Sequence, residues 1–433
     1  MGKELPNGWI ESKLGDISKI QSGGTPSRSN KSYWGGNIPW VKISDIQNLY
    51  VNETKEFITQ EGLNNSAARI FPKGTVLFTI FATIGRIGIL NINATTNQAV
   101  AGITPIPLIN KMYLIYTLRE LANSIMGQGK GVAQKNINQT ILRETKIPLP
   151  PRPEQDRIVA KVDILMAQVE TMQKSLERIP QLLKDFRQQV LTQAVTGKLT
   201  EEWREGKELT DSINHKLEDI TISITDGDHQ APPRVEIGIP FLVISNVSKG
   251  FFDFDGVTRF VPSNYFANLK DSRVPKTGDI LYTVTGSFGI PLLVNFEKDF
   301  CFQRHIAIIR PNPNFVLSEY LLIHLKSQIA KTQVEEVATG TAQMTVPLRG
   351  LRKFCFQIHS MLEQQEIISR VASLFAKVDF IEKQYQTLKA KIDTLPQAIL
   401  HKAFKGELVE QLESDEPTKD LLREIEGLKK RVN

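Results

Sequence analysis

Apolar residues recur in alternating steps of four and three along two long stretches of the chain. The first stripe is Ile158, Val162, Leu165, Val169, Met172, Leu176, Ile179, Leu183, Phe186 and Val190. The second is Ile367, Val371, Leu374, Val378, Ile381, Tyr385, Leu388, Ile392, Leu395 and Ile399. A mean period of 3.5 residues predicts helices whose narrow seam faces a partner helix, and neither stripe can be buried by its own helix. The economical solution packs the two on each other as an intramolecular coiled coil. The run 158–190 would span roughly 50 Å at 1.5 Å per residue. Punctuation agrees with these helices: Pro153 in "PLPPRPE" suits a first turn, "SMLE" (360–363) has capping-box spacing, and Gly197 and Gly406 are stops. Pro180 and Pro396 lie inside the stripes and predict kinks or short breaks.

The flanking segments read differently. Short β-branched and aromatic runs such as "TVLFTI" and "DILYTV", separated by Gly, Pro and Asn, predict strands, with a helix near Tyr113 and another near Tyr320. The chain also repeats itself. "EQDRIVAKV" from Glu154 is answered by "EQQEIISRV" from Glu363, and the match runs without a gap to "AVTGKL" (194–199) over "AFKGEL" (403–408). Upstream, "LGDI" answers "LEDI", "IPWVKISDI" answers "IPFLVISNV", Gln98 answers Gln303 and "YLIYTLR" answers "YLLIHLK". The predicted fold is α+β. Two similar mixed α/β domains, residues 1–150 and 211–357, alternate with helical regions, residues 151–210 and 358–433, in an internal repeat with approximate twofold character.

Composition narrows the class. With 41% hydrophobic and 23% charged residues in 433, the chain is an ordinary globular protein. Its longest apolar stretch is about half of what a membrane span needs, and "MGKELPNGWI" lacks the apolar core of a signal peptide, so a cytoplasmic protein with no membrane role is expected. Two cysteines and six scattered histidines give no basis for a disulfide framework or a structural metal. Charge is uneven: residues 1–150 hold 16 Lys and Arg against 9 Asp and Glu, while the other three regions are near balance. A basic domain points to a polyanion, because neutralising phosphates releases counterions; a solvated surface is the plainer alternative. Two related readers on a rod would suit two sites at a fixed separation, and 50 Å compares with about 15 base pairs at 3.4 Å per step.

The residues that carry a family resemblance are now in view. "SGGTPSRSNKSYWGGNIPWVKISDI" (22–46) resembles one class of target recognition domain in the specificity subunits of type I restriction-modification systems, and "ITDGDHQAPPRVEIGIPFLVISNV" (224–247) resembles another. The two helical repeats are similar to the conserved regions of that family, and "EPTKDLLREIEGLKK" (416–430) to its tail. The resemblance implies a non-catalytic DNA-recognition subunit. Each recognition domain would read half of a bipartite, asymmetric site in double-stranded DNA, and antiparallel helices would set the unread spacer. It further implies docking of two modification subunits, which methylate adenine with S-adenosylmethionine, and recruitment of restriction subunits that use ATP and Mg; this chain itself would hold no cofactor. The heptads alone do not choose antiparallel over parallel.

Base reading needs donors and acceptors at base edges, Arg suiting guanine and Asn or Gln suiting adenine. In the first domain Arg28, Ser29, Lys31 and Tyr33 cluster between glycines, against the alternative of a solvated loop, while Trp34 and Trp40 are assigned to the core. "GQGKGVAQKN" offers Lys130, Gln134, Lys135 and Asn136 among glycines that let backbone approach phosphate. Its counterpart "GTAQMT" offers Thr341 and Gln343. "DGDHQAPPR" supplies His229, Gln230 and Arg234, with Asp226 and Asp228 able to orient them or to accept from cytosine. Arg304 and His305 stand beside Gln303, and Arg86 is a candidate phosphate contact or a surface salt bridge. "NPNF" (312–315) lacks the second proline and the glycine loop of an amino-methyltransferase, and "GQGKG" lacks the ending of a phosphate loop. The competing functions are a self-sufficient DNA methyltransferase or nuclease, and an interaction scaffold with no DNA role.

Overall fold

A computed structural model describes residues 5–81, 83–127, 137–227, 232–340 and 344–415, together with 423 and 427. The chain forms two compact units, one of residues 1–176 with 388–433 and the other of residues 177–387. Each unit therefore combines one globule with helical segments from both repeats. Among the described residues no helix is long and apolar enough to cross a membrane.

In the first unit, a five-stranded sheet has the order Ser18–Ser22, Val100–Pro105, Val76–Thr79, Ile87–Leu90 and Tyr50–Val51. A three-stranded sheet places Trp34–Val41 between Phe57–Ile58 and Thr95–Thr96, and Ile10–Lys13 pairs antiparallel with Lys146–Leu149. Strand side chains alternate faces, so Val76 and Phe78 join Tyr113 and Leu114 of the helix Lys111–Gly127 in one core, while Leu77 joins Val41, Leu90 and Val100 in another. Burial on both faces explains why this strand is apolar throughout.

The second unit repeats this plan. Its four-stranded sheet has the order Thr221–Asp226, Ile306–Pro311, Ile280–Thr283 and Pro291–Leu293; Ile239–Leu242 lies between Phe260–Val261 and Cys301–Phe302; Ile213–Lys216 pairs with Cys355–Ile358. Ile280 and Tyr282 face the core containing Tyr320 and Leu321, and Leu281 faces one containing Phe300 and Phe302. The loosely matched sequence segments thus fall on corresponding elements, while Tyr50–Val51 at the edge of the first sheet has no counterpart among the described strands of the second.

The helical repeats form Arg152–Leu176, Ile179–Val195 and Met361–Ala403. Pro180 sits in the first turn of the second of these, so the break falls just before it; Pro396, by contrast, lies within a helix that continues to Ala403. Gly197 and Gly406 follow the helix ends with φ of 71° and 72°, the left-handed conformation that glycine adopts without a Cβ penalty. Within the first unit Gln173 hydrogen-bonds Asp393 while Ile158 shares a core with Leu400 and Ala403. Within the second, Arg187 bridges Asp379 and Glu382 while Val190 and Ala194 share a core with Ile367 and Val371. Rising numbers on one helix meet falling numbers on the other, so packing in each unit is antiparallel.

The seam needs correction in detail. One heptad column is buried in each unit: Val162, Val169, Leu176 and Ile392 in the first, and Leu183, Val190, Val371, Val378 and Tyr385 in the second. The alternate column is buried at Ile158 and Ile367 but opens toward solvent farther along, leaving Met172 39%, Phe186 42%, Ile381 48% and Leu388 47% exposed. Two helices alone shield a narrow strip, and side chains half a heptad away sit at its margin. The expected capping box is also half made. Ser360 Oγ accepts from the Glu363 backbone N–H at 3.3 Å, but the Glu363 carboxylate turns inward to Thr200 and Arg204 instead of returning to the cap.

Candidate nucleic-acid interface

Strand register determines where the candidate loops emerge. In the first unit Ser22 pairs with Ala101, Val100 with Thr79, and Phe78 with Ile87. The segment beginning at Gly23, residues 80, 81 and 83–86, and residues 97–99 therefore share one end of the sheet. Ile137, which follows the "GQGKGVAQKN" segment, donates its N–H to the Ile80 carbonyl at 3.0 Å and anchors that segment's exit at the same end. In the second unit Asp226 pairs with Ala307, Thr283 with Ile306, and Tyr282 with Pro291. Gly286 donates to Met344 and Val346 donates to Val284, so the exit of the "GTAQMT" segment is tied there as well. Segments far apart in sequence meet at one sheet end in each unit.

Lys130, Gln134, Lys135, Asn136, His229, Gln230, Thr341 and Gln343 lie outside the described residues, as does Asp228. The remaining candidates are placed. The loop that carries Arg28 is held firmly. The Trp40 indole N–H donates to the Gly24 carbonyl at 2.9 Å, and the Trp34 indole N–H to the Ser27 carbonyl at 3.1 Å. Thr25 donates to Gln98, Ser27 and Ser29 share a hydroxyl hydrogen bond, and Asn30 caps the short turn Lys31–Tyr33. Gly23 passes so close to Thr96 that a Cβ would lie 2.1 Å from its carbonyl oxygen; Gly227 passes Phe302 in the same way at 2.2 Å. Lys31 and Ser29 are exposed, and Tyr33 is half-buried with its carbonyl accepting from Thr59.

Arg28 itself is half exposed. Its guanidinium forms an ion pair with Glu56 at 2.6 Å and lies over the Trp34 ring, 3.7 Å from its centroid. Glu56 also pairs with Lys42. The hydrogen bond from Lys42 holds the Glu56 carboxyl below the usual carboxylate range, against the opposing effect of burial and with help from Arg28. Trp40 is buried at 2% exposure and Trp34 is half-buried, the two packing edge to face. Among the described residues Arg86 forms no salt bridge, and its guanidinium is held by backbone. Its Nη1 donates to the carbonyls of Ile43 and Ile46 at 3.3 Å each, strapping a neighbouring turn. Arg234 donates to the Thr258 carbonyl at 3.2 Å. Arg304 is exposed, His305 is half-buried, and Asp226 lies 3.9 Å from Arg273.

At the opposite end of each sheet the structure assigns a purpose to the Glu-Gln pair that heads each copy of the sequence repeat. Gln155 is fully buried: its Oε1 accepts from Asn110 N–H at 2.9 Å and its Nε2 donates to the Pro150 carbonyl at 3.1 Å. Gln364 does the same with Leu317 N–H at 2.9 Å, Phe315 O at 2.8 Å and His359 O at 2.9 Å. Each glutamine clasps the start of a long helix to the base of its globule, away from the candidate loops. The signal was available in sequence as a polar pair repeated without change at the head of each apolar stripe.

The glutamates differ. Glu363, 2% exposed, accepts from Thr200 at 2.6 Å and Arg204 at 3.0 Å. Glu154, equally buried, has an Oε1 without a hydrogen-bond partner. Burial raises its carboxyl above the usual range; Trp9, Arg157 and Gln411 oppose that rise in part, and Asp415 adds to it.

A family model described as the type I restriction modification DNA specificity domain matches residues 6–181 and 234–390. Among curated proteins, the chain is 28% identical to the EcoBI type I restriction enzyme specificity subunit of Escherichia coli, with 95% of this chain and 89% of that one covered. It is 27% identical to the MjaIX specificity subunit of Methanocaldococcus jannaschii, over 94% and 96% of the two chains. Among solved structures, one concerned with complex assembly and conformational transition of the type I R-M system aligns with a TM-score of 0.66 at 20% identity, over 94% of this chain and all of that one. The HsdS subunit from Thermoanaerobacter tengcongensis aligns with a TM-score of 0.61 at 20% identity, over 94% and 99%. At those identities the structural likeness shows a shared fold.

Proposed function

Because the chain belongs to the type I restriction modification DNA specificity family, we propose that it supplies DNA sequence recognition to a type I restriction-modification complex and leaves the chemistry to other subunits. One observation carries this reading to the chain's own residues: in each unit, loops from separate strands gather at the sheet end opposite the glutamine clasp. Gathered loops on a rigid sheet are how a fold presents several side chains to one run of base edges.

Each unit reads one half of a bipartite site in double-stranded DNA. The halves differ because the gathered loops differ, with Arg28 and Lys31 in one and Arg234 and Arg304 in the other. The excess of positive charge in residues 1–150 adds a sequence-independent attraction for phosphate. The long helices set the unread spacer, and in each unit their exposed apolar positions, Met172 and Leu388 in the first and Phe186 and Ile381 in the second, provide surface on which two modification subunits dock. S-adenosylmethionine, ATP and Mg belong to those modification subunits and to the restriction subunits.

A binding competition tests this directly. The chain purified with its modification subunits prefers one bipartite sequence over shuffled duplexes of the same length; equal binding to all of them contradicts the proposal. Transfer of labelled methyl groups by the isolated chain would establish the self-sufficient methyltransferase instead. Binding indifferent to salt would leave a scaffold without a DNA role.

A further inference from the structure

We propose that Glu56 and Trp34 are positioning residues that pre-aim Arg28 at a guanine, so that the half-site read by the first unit contains a G·C pair recognised by that arginine. This rests on the reading of the unit as a DNA reader and adds the base, the reading side chain and the groups that hold it.

Two neighbouring groups hold the guanidinium. Its Cζ lies over the Trp34 ring, 3.7 Å from the centroid, and 4.9 Å from the Trp40 centroid. One terminal nitrogen, Nη2, lies 2.6 Å from Glu56 Oε2 as an ion pair. A guanidinium has five N–H donors in a rigid fork, so one engaged edge leaves a second edge with parallel donors. Two parallel donors match the O6 and N7 acceptors of guanine in the major groove, and no other base offers that pair. The side chain remains 54% exposed, so these supports do not enclose it.

The supports are themselves supported. Trp34 is fixed by its indole bond to Ser27 and its edge-to-face packing on Trp40, which is bonded to Gly24. Glu56 is shared with Lys42, which keeps the carboxylate ionised and leaves the three-residue group with one net positive charge. That balance avoids repelling phosphate while removing the freedom of a long side chain. A free arginine must lose rotamer entropy on binding, whereas a stacked and ion-paired one has already lost much of it.

The test selects binding sites from random duplexes, using the full chain with its modification subunits. Wild type should yield a bipartite motif with an invariant G·C pair in the half that changes when residues 1–150 are exchanged. R28A should lose discrimination at that pair by about 5- to 100-fold while every other position stays. R28K, which keeps the charge but not the fork, should lose it too, and E56Q and W34L should weaken the same pair several-fold. Melting temperatures are measured in parallel. Unchanged motifs in R28A and E56Q overturn the assignment. Loss of the entire half-site with early melting in both R28A and R28K makes Arg28 a structural residue, and that also overturns it. If wild type selects no motif, the DNA-reading function itself fails, which is a distinguishable result.

Discussion

Glu363 is buried against Arg204 and Thr200, so removing its charge strands a guanidinium whose side chain is about two-thirds covered. E363Q should therefore destabilise the second unit by about 1–3 kcal/mol, toward the lower end because Arg204 keeps contact with water. Scanning calorimetry would register that as a fall of roughly 2–4 °C per kcal/mol. The same substitution at Glu154 should act in the opposite direction. Its carboxyl is raised in the folded state, so the associated stability is present below the unfolded value and is lost as pH rises through the folded one. E154Q should melt higher than wild type at neutral pH, with the gain shrinking as the pH is lowered; a gain that persists at acid pH would contradict the burial argument. Nothing in "EQDRIVAKV" against "EQQEIISRV" separates these outcomes. Both glutamates read alike locally, and the cation that distinguishes them comes from residue 204, far along the chain.

Among elements, the helical seam shows how periodicity informs and where it stops. Alternating steps of four and three identified both columns, but a two-helix contact closes only one of them. I392A, in the closed column, should cost about 2–5 kcal/mol of stability. L388A, in the open one, should stay within about 0.5 kcal/mol yet weaken association with modification subunits. Gel filtration of the variant mixed with those subunits, beside its melting curve, separates the two effects. Inserting four residues near Met172 shifts the register by more than half a heptad, and should either change the unread spacer or abolish docking; an unchanged spacer with full activity would refute the ruler. Pro180 broke its helix while Pro396 did not, although both interrupt the same apolar pattern. Pro180 falls in a first turn, where the missing N–H has no intrahelical acceptor to lose, and a new helix can begin there.

For the molecule as a whole, modular recognition predicts that exchanging residues 1–150 for those of another family member alters one half-site and leaves the other intact, as read by methylated-site mapping; changes in both halves would count against independent units. The duplication, the mixed α/β class and the paired helices were legible in sequence because period, turn residues and repeated motifs are local properties that survive without knowledge of the fold. The amino-acid order by itself also placed the excess charge and nominated Arg28. What the tertiary structure alone decided is which distant segments become neighbours. It set the loops of several strands at one sheet end, turned the two glutamines into clasps at the other, and delivered Glu56 to Arg28. Those outcomes depend on antiparallel register and chain closure over many residues, and no local pattern encodes which side chain will be waiting on the far side of a closed loop.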